Sequence, residues 1–165
     1  MKDVPMRVLT AIGVALALGA CSPKHAAGGD LSAAEAFMAA TGKQPGVVTL
    51  PSGLEYKIVT SGDAAGPHPG LSDEVKVNYE GKLVSGQIFD SSFQRGEPAD
   101  FPLEGLIPGW TEALQLMRPG DEWILYAPPS LGYGDEDKGP IPAGSVLIFR
   151  IQLLGVLPHP SGGMG

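Results

Sequence analysis

The chain has 165 residues, which suits one domain with appendages. Its 24 glycines and 16 prolines point to a loop-rich β domain with tails. A formal charge of −7 argues against a nucleic-acid partner, and the single cysteine, Cys21, excludes an intramolecular disulfide or a cysteine metal cluster.

In chain order, residues 1–20 read as a lipoprotein signal peptide. Lys2 and Arg7 give a basic start, and Val8 to Ala20 form an apolar run too short to cross a bilayer, which takes about 20 residues. Met6 offers a second adequate start. The run ends Leu18-Gly19-Ala20-Cys21, which resembles the bacterial lipobox, where cleavage exposes a cysteine for acylation. A lipid-anchored protein in the cell envelope, facing the periplasm, is the expectation, and Ser22 after the cysteine favours the outer membrane.

Residues 21–30 are small and polar, a flexible tether. Residues 31–45 hold a short helical segment and a linker. In "LSAAEAFMAAT", Leu31, Ala34, Phe37 and Met38 fall at helical spacing, and "GKQPG" ends the run. A β-rich domain follows over 46–157. Leu54, Tyr56 and Ile58 alternate with Glu55 and Lys57; Val75, Val77 and Tyr79 alternate with Lys76, Asn78 and Glu80. "DEWILYAP" and "SVLIFRIQLLGV" read as two more strands, the second with Leu147, Phe149, Ile151 and Leu153 on one face. One helix interrupts: "GWTEALQLM" puts Trp110, Ala113, Leu114 and Met117 on one side, behind Pro108-Gly109. Residues 158–165 read as a disordered tail. The expected class is α+β, antiparallel strands curved over one short helix.

Reactive groups are sparse. His25, His68 and His159 lie in Gly/Pro-rich or terminal segments with no metal-ligand spacing and no nucleophile motif beside them. Asp135, Glu136 and Asp137 read as a solvated acidic loop, and no Gly-rich loop cradles phosphate. What remains is aromatic and apolar: Tyr79, Phe89, Phe101, Trp110, Tyr133 and Phe149, with Leu106 and Ile107 beside Trp110. These side chains either fill a core or line a pocket. Three features favour the pocket. Trp110 opens a helix at an element edge, Tyr133 sits in a loop, and the Asp90 carboxylate adjoins Phe89, where it requires hydrogen bonds or a cation.

The stretches "VNYEGKLVSGQIFDSSFQRGEP", "LIPGWTEALQLMRPGDEWILYAPPSLGYG" and "IPAGSVLIFRIQLL" together resemble an FKBP-type peptidyl-prolyl cis-trans isomerase, over about Gly53 to Val156. The lead-in "KQPGVVTLPSGLEYKIV" is similar to the bacterial macrophage-infectivity-potentiator branch, which often carries a long N-terminal dimerisation helix; here only residues 31–41 stand in that place. The resemblance implies an antiparallel half-barrel sheet of five or six strands wrapped around a helix at Thr111 to Met117. It implies acceleration of X–Pro isomerisation during protein folding in the envelope, by apolar desolvation and twisting of the amide, with no cofactor and no metal. Proline-containing polypeptides are the implied clients, the macrolides tacrolimus and rapamycin are possible ligands, and the lipid is the membrane contact.

The same resemblance makes Trp110 the pocket floor and Tyr79, Phe89, Leu106, Ile107, Tyr133 and Phe149 its walls. The Ile107 N–H and the Tyr133 hydroxyl would hold substrate carbonyls. Asp90 would sit at the mouth, hydrogen-bonded by Tyr79 and paired with Arg95. One position departs from the pattern: the family often places a wall aromatic directly after Pro98, where this chain has Ala99, and Phe101 aligns with a core position. The alternative function is an FKBP-fold chaperone or binding lipoprotein with little isomerase activity.

Overall fold

The computed structural model describes residues 31–157. The signal, lipobox, tether and tail readings therefore lie outside the described residues. The first element, α1 (Leu31–Thr41), is the helix expected from the alanine-rich segment. It buries Ala34 and Met38 against Val146, with Phe37 and Tyr126 packed alongside. A helix this short is marginal alone, so this contact is what holds it.

Seven antiparallel strands follow: β1 (Val47–Thr49), β2 (Glu55–Thr60), β3 (Glu74–Leu83), β4 (Ile88–Ser91), β5 (Ala99–Pro102), β6 (Glu122–Ala127) and β7 (Leu147–Leu157). Their order is β1-β2-β6-β7-β3-β4, with β5 also on β3. The strand count exceeds the five or six expected for two physical reasons. The three residues of β1 add an edge, and the free side of β3 is shared. Its first half, Glu74 to Val77, pairs with β5, and its second half, Glu80 to Lys82, pairs with β4. β3 and β7 form the spine, paired from Glu74↔Leu157 to Leu83↔Leu147.

The period-2 reading holds along that spine. Val75, Val77, Tyr79, Leu147, Phe149, Ile151 and Leu153 are buried, and Arg150 is exposed on the other face. Against this face lies α3 (Pro108–Leu114), which contributes Trp110, Ala113 and Leu114, followed by Met117 from the turn after it. Each fully buried Leu, Val or Met is worth about 1.5–3 kcal/mol of transfer free energy.

The helix differs from the expected Thr111–Met117. Pro108 fixes φ for the first turn and starts the helix three residues earlier. It closes at Leu114, and Leu116 and Met117 follow in a turn bonded to the Ala113 carbonyl at 2.9 and 3.1 Å. Trp110 is thus inside the first turn, rigidly carried, rather than ahead of it.

Candidate active site

The segment after β4 is built to place two charges. Ser91 caps α2 (Ser92–Arg95), its hydroxyl accepting from the Gln94 N–H, and Gly96 ends the helix with φ 77°. One turn of helix carries Arg95 back over Asp90. Ser92 is fully buried, and its hydroxyl accepts from the Tyr79 N–H at 2.8 Å. This bond pins α2 to β3, so Tyr79, Asp90 and Arg95 are positioned by one local unit.

Their side chains close a triangle. The Tyr79 hydroxyl donates to Asp90 Oδ2, and Arg95 Nη1 donates to Asp90 Oδ1. Arg95 Nη2 donates to the Tyr79 oxygen at 3.0 Å, with its guanidinium carbon 5.5 Å from the Tyr79 ring centroid. Burial pushes the Asp90 carboxyl up, but the hydrogen bonds from Tyr79 and Arg95 and the Arg95 charge outweigh it and hold the carboxyl below its ordinary range. Burial, then the bond to Asp90, raises the Tyr79 hydroxyl. Asp90 is an anion and Tyr79 a neutral donor at neutral pH.

Behind the triangle is a cavity of about 270 Å³. Trp110 lies at its base, 4% exposed, ringed edge-on by Tyr79, Phe149 and Phe101 at 5.2, 5.3 and 5.9 Å between centroids. Phe89 meets Phe149 edge-on at 5.7 Å. Leu106, Ile107 and Tyr133 complete the lining. Every pocket residue selected from the sequence except Arg95 therefore borders this one cavity, and Arg95 touches it through Asp90 and Tyr79.

Two possible donors stand at the opening. Ile107 is the N-cap of α3, and its carbonyl accepts from Trp110 and Thr111 at 3.0 and 3.1 Å. Its own N–H has no partner among the described residues. Tyr133 follows a short 3₁₀ turn, Pro129–Leu131, and is exposed.

Two residues modify the sequence reading. Phe101 is half-buried and lines the cavity, rather than serving only the core. It flanks Trp110 from β5, while Ala99, its neighbour two positions back on the same strand, pairs with Val77 and does not border the cavity. Gly81, which sequence reasoning passed over, sits beneath two walls. A Cβ there would lie 2.6 Å from two Phe89 ring carbons and 2.8 Å from Phe149. The signal was available: a glycine inside a strand pattern marks a close approach.

Comparison with known proteins gives the following. Residues 66–154 match the family of FKBP-type peptidyl-prolyl cis-trans isomerases, and residues 17–58 match the domain amino terminal to FKBP-type peptidyl-prolyl isomerase. The chain is 49% identical over 122 residues to the peptidyl-prolyl cis-trans isomerase Mip of Coxiella burnetii, across 73% of this chain and 52% of that protein. It is 48% identical over 123 residues to the outer membrane protein MIP of Legionella longbeachae, across 74% and 52% of the two chains. The crystal structure of FkpA from Escherichia coli superposes with a TM-score of 0.74 at 42% identity, covering 78% of this chain and 60% of that one. The chain spans about half the length of the curated relatives it matches.

Proposed function

This chain belongs to the family of FKBP-type peptidyl-prolyl cis-trans isomerases, and we propose that it accelerates X–Pro isomerisation in polypeptide clients at the Trp110 cavity. The observation that carries the reading is the apolar cavity floored by Trp110, with a fixed Tyr79–Asp90–Arg95 cluster at its mouth.

The reaction is a rotation. Amide resonance sets a barrier of about 18–20 kcal/mol, and uncatalysed X–Pro exchange takes roughly tens to hundreds of seconds. A planar amide carries a large dipole that water stabilises, and twisting reduces it. Transfer into an apolar cavity therefore raises the planar ground state more than the twisted state, which is differential binding of the transition state. A difference of about 6 kcal/mol corresponds to roughly 10⁴ in rate.

In this cavity the proline ring stacks on the Trp110 face, between the Phe149 and Phe89 walls. The Ile107 N–H and the Tyr133 hydroxyl receive carbonyls flanking the proline, so the ring stays fixed while the acyl side turns. Asp90 is an orienting charge. Nothing in the reaction is deprotonated, which fits a carboxylate already satisfied by two donors. Phe101 supports Trp110 edge-on from β5.

The setting we propose is the cell envelope, with the mature chain anchored by lipid at Cys21 and facing the periplasm. The lipobox-like Leu18-Gly19-Ala20-Cys21 and a relative named as an outer membrane protein support it. No described helix is long and apolar enough to cross a membrane. Intact mass of the membrane-extracted protein tests it: a mature chain without an acylated Cys21 sinks the anchor.

The activity test is a protease-coupled or NMR exchange assay on an Ala-Leu-Pro-Phe peptide. The wild type is expected to accelerate exchange, and Trp110→Leu to lose most of that acceleration. Wild-type exchange no faster than buffer overturns the proposal.

A further inference from the structure

A cavity of about 460 Å³, remote from the Trp110 site, lies between α1 and the body of the sheet. Leu31, Ala34 and Met38 of α1 form one side, and Pro128 and Pro129 the other. Its volume suits a small ligand. Glu55, the first residue of β2, borders it and is 4% exposed. Oε1 has a long contact of 3.5 Å from the Thr49 hydroxyl, and Oε2 has no partner among the described residues.

A buried carboxylate with one free oxygen is costly and calls for a donor. The hydroxyls bordering the cavity are those of Thr49, Ser52 and Ser130; Thr49 contacts Oε1, Ser52 donates to Glu112, and none is bonded to Oε2. The only other ionisable side chain bordering the cavity is Glu35, on α1. The Glu55 carboxyl also presses on the C-terminal turn of α1: a Cβ on Gly42 would lie 2.7 Å from Oε1. The two carboxyl groups, Glu55 and Glu35, thus favour a cation, in a cavity otherwise lined by aliphatic and proline carbon and the hydroxyls of Thr49, Ser52 and Ser130.

We propose that this cavity binds a primary ammonium on an apolar stem, with Glu55 as its counter-ion. Oε2 is closed off from solvent in this conformation; a turn of the carboxyl toward the cavity lets an ammonium supply donors to that oxygen and charge to the pair, while four to six methylenes pack against Leu31, Met38, Pro128 and Pro129. A lysine side chain and a free alkylamine share this chemistry. The site is independent of the isomerase reading, since none of these residues borders the Trp110 cavity.

The test is an NMR titration of the full chain with n-hexylammonium, 1-hexanol and hexanoate, reading the amides of Ala34, Gly53, Glu55 and Ser130. Hexylammonium is expected to give saturable shifts there, with 1-hexanol at least tenfold weaker and hexanoate giving none. Glu55→Gln should remove the preference for ammonium over alcohol; Glu35→Gln should change affinity by less than threefold. Nα-acetyl-lysine methylamide shifting the same amides identifies a lysine side chain as a source; if only hexylammonium does so, free amines are the ligand class. Equal affinity for hexylammonium and 1-hexanol, an unchanged preference in Glu55→Gln, or no saturable shift at these amides overturns the proposal. The comparison of ammonium with alcohol uses only the wild type, so it decides even if the variant misfolds.

Discussion

Asp90→Asn isolates the charge at the mouth of the Trp110 cavity while keeping side-chain size. Asn Oδ1 can still accept from Arg95, but its amide nitrogen cannot accept from the Tyr79 hydroxyl, which now bonds Asp90 Oδ2. The variant thus leaves the Arg95 bond charged on the donor side alone and makes the Tyr79 hydroxyl turn to accept from the amide nitrogen in a neutral bond. Bonds to charged groups are worth about 1.5–3 kcal/mol and neutral ones about 0.5–1.5. The fully buried loss would be about 2–4 kcal/mol on that scale. The Asp90 and Arg95 side chains are each 43% exposed, so screening cuts this to about 0.5–1.5 kcal/mol. Urea unfolding should show that loss with an unchanged slope. The exchange assay should show kcat/KM lower by about threefold to thirtyfold, or about 0.7–2 kcal/mol of transition-state stabilisation. An Arg95→Gln, Asp90→Asn double variant should cost less than the sum of the singles, because the two share one interaction. A single variant with wild-type stability and kcat/KM within a factor of two would refute the reasoning that this charge organises the site.

Gly81→Ala should cost about 1–3 kcal/mol in urea unfolding, as for any overpacked core, and should lower kcat/KM by displacing Phe89 and Phe149. Wild-type exchange in that variant would show that the wall positions do not matter. Burial raises the Glu55 carboxyl above its ordinary range, against a smaller opposing effect of the Thr49 hydroxyl. The folded state therefore binds the proton more tightly than the unfolded chain, and stability falls as pH rises from the ordinary glutamate range through the raised one. The stability of Glu55→Gln relative to wild type should grow across that window, measured by urea unfolding at a series of pH values. Asp90 has the opposite sign, its stabilisation vanishing as pH falls through its lowered range. A flat difference between Glu55→Gln and wild type would mean that the carboxyl is solvated.

How much of this was legible in the sequence depended on the length of each signal. β3 and β7 are long enough for their alternation to show, and their buried faces match the apolar positions read from the chain. β1, β4, β5 and α2 have three or four residues each, too few for a period to show. The cluster of Tyr79, Asp90 and Arg95 was reachable only through resemblance, because its geometry depends on that one-turn helix. The N-cap at Ser91 and the buried hydroxyl of Ser92 carry the positioning. Glu55 was misplaced for a different reason. Alternation put it with Lys57 on the outer face of β2, and it is on that face, but α1 and the turn at Gly42 cover it. Tertiary cover by a remote segment leaves no local periodic trace.

The residues of the Trp110 cavity are also core residues: Trp110, Tyr79 and Phe149 are each at most 5% exposed and belong to the main hydrophobic cluster. This double membership follows from what the proposed reaction requires. A cavity that acts by withholding water from an amide must stay apolar and keep its shape when empty, and only a close-packed wall does so. A loop-built pocket could collapse or admit water, and the dipole penalty on the planar amide would disappear. The charges follow the same logic. Asp90 alone would draw water and counter-ions to the mouth; held by Arg95 and Tyr79 it presents a compact dipole with no net charge. Such a dipole orients a carbonyl at short range and fades quickly with distance, leaving the Trp110 floor apolar. Large substitutions in the walls therefore disturb the packing of the whole cavity, whereas changes at Asp90 and Arg95 alter one charge pair and leave the packed walls in place. That is why the mouth, rather than the floor, is the place to test how the site works.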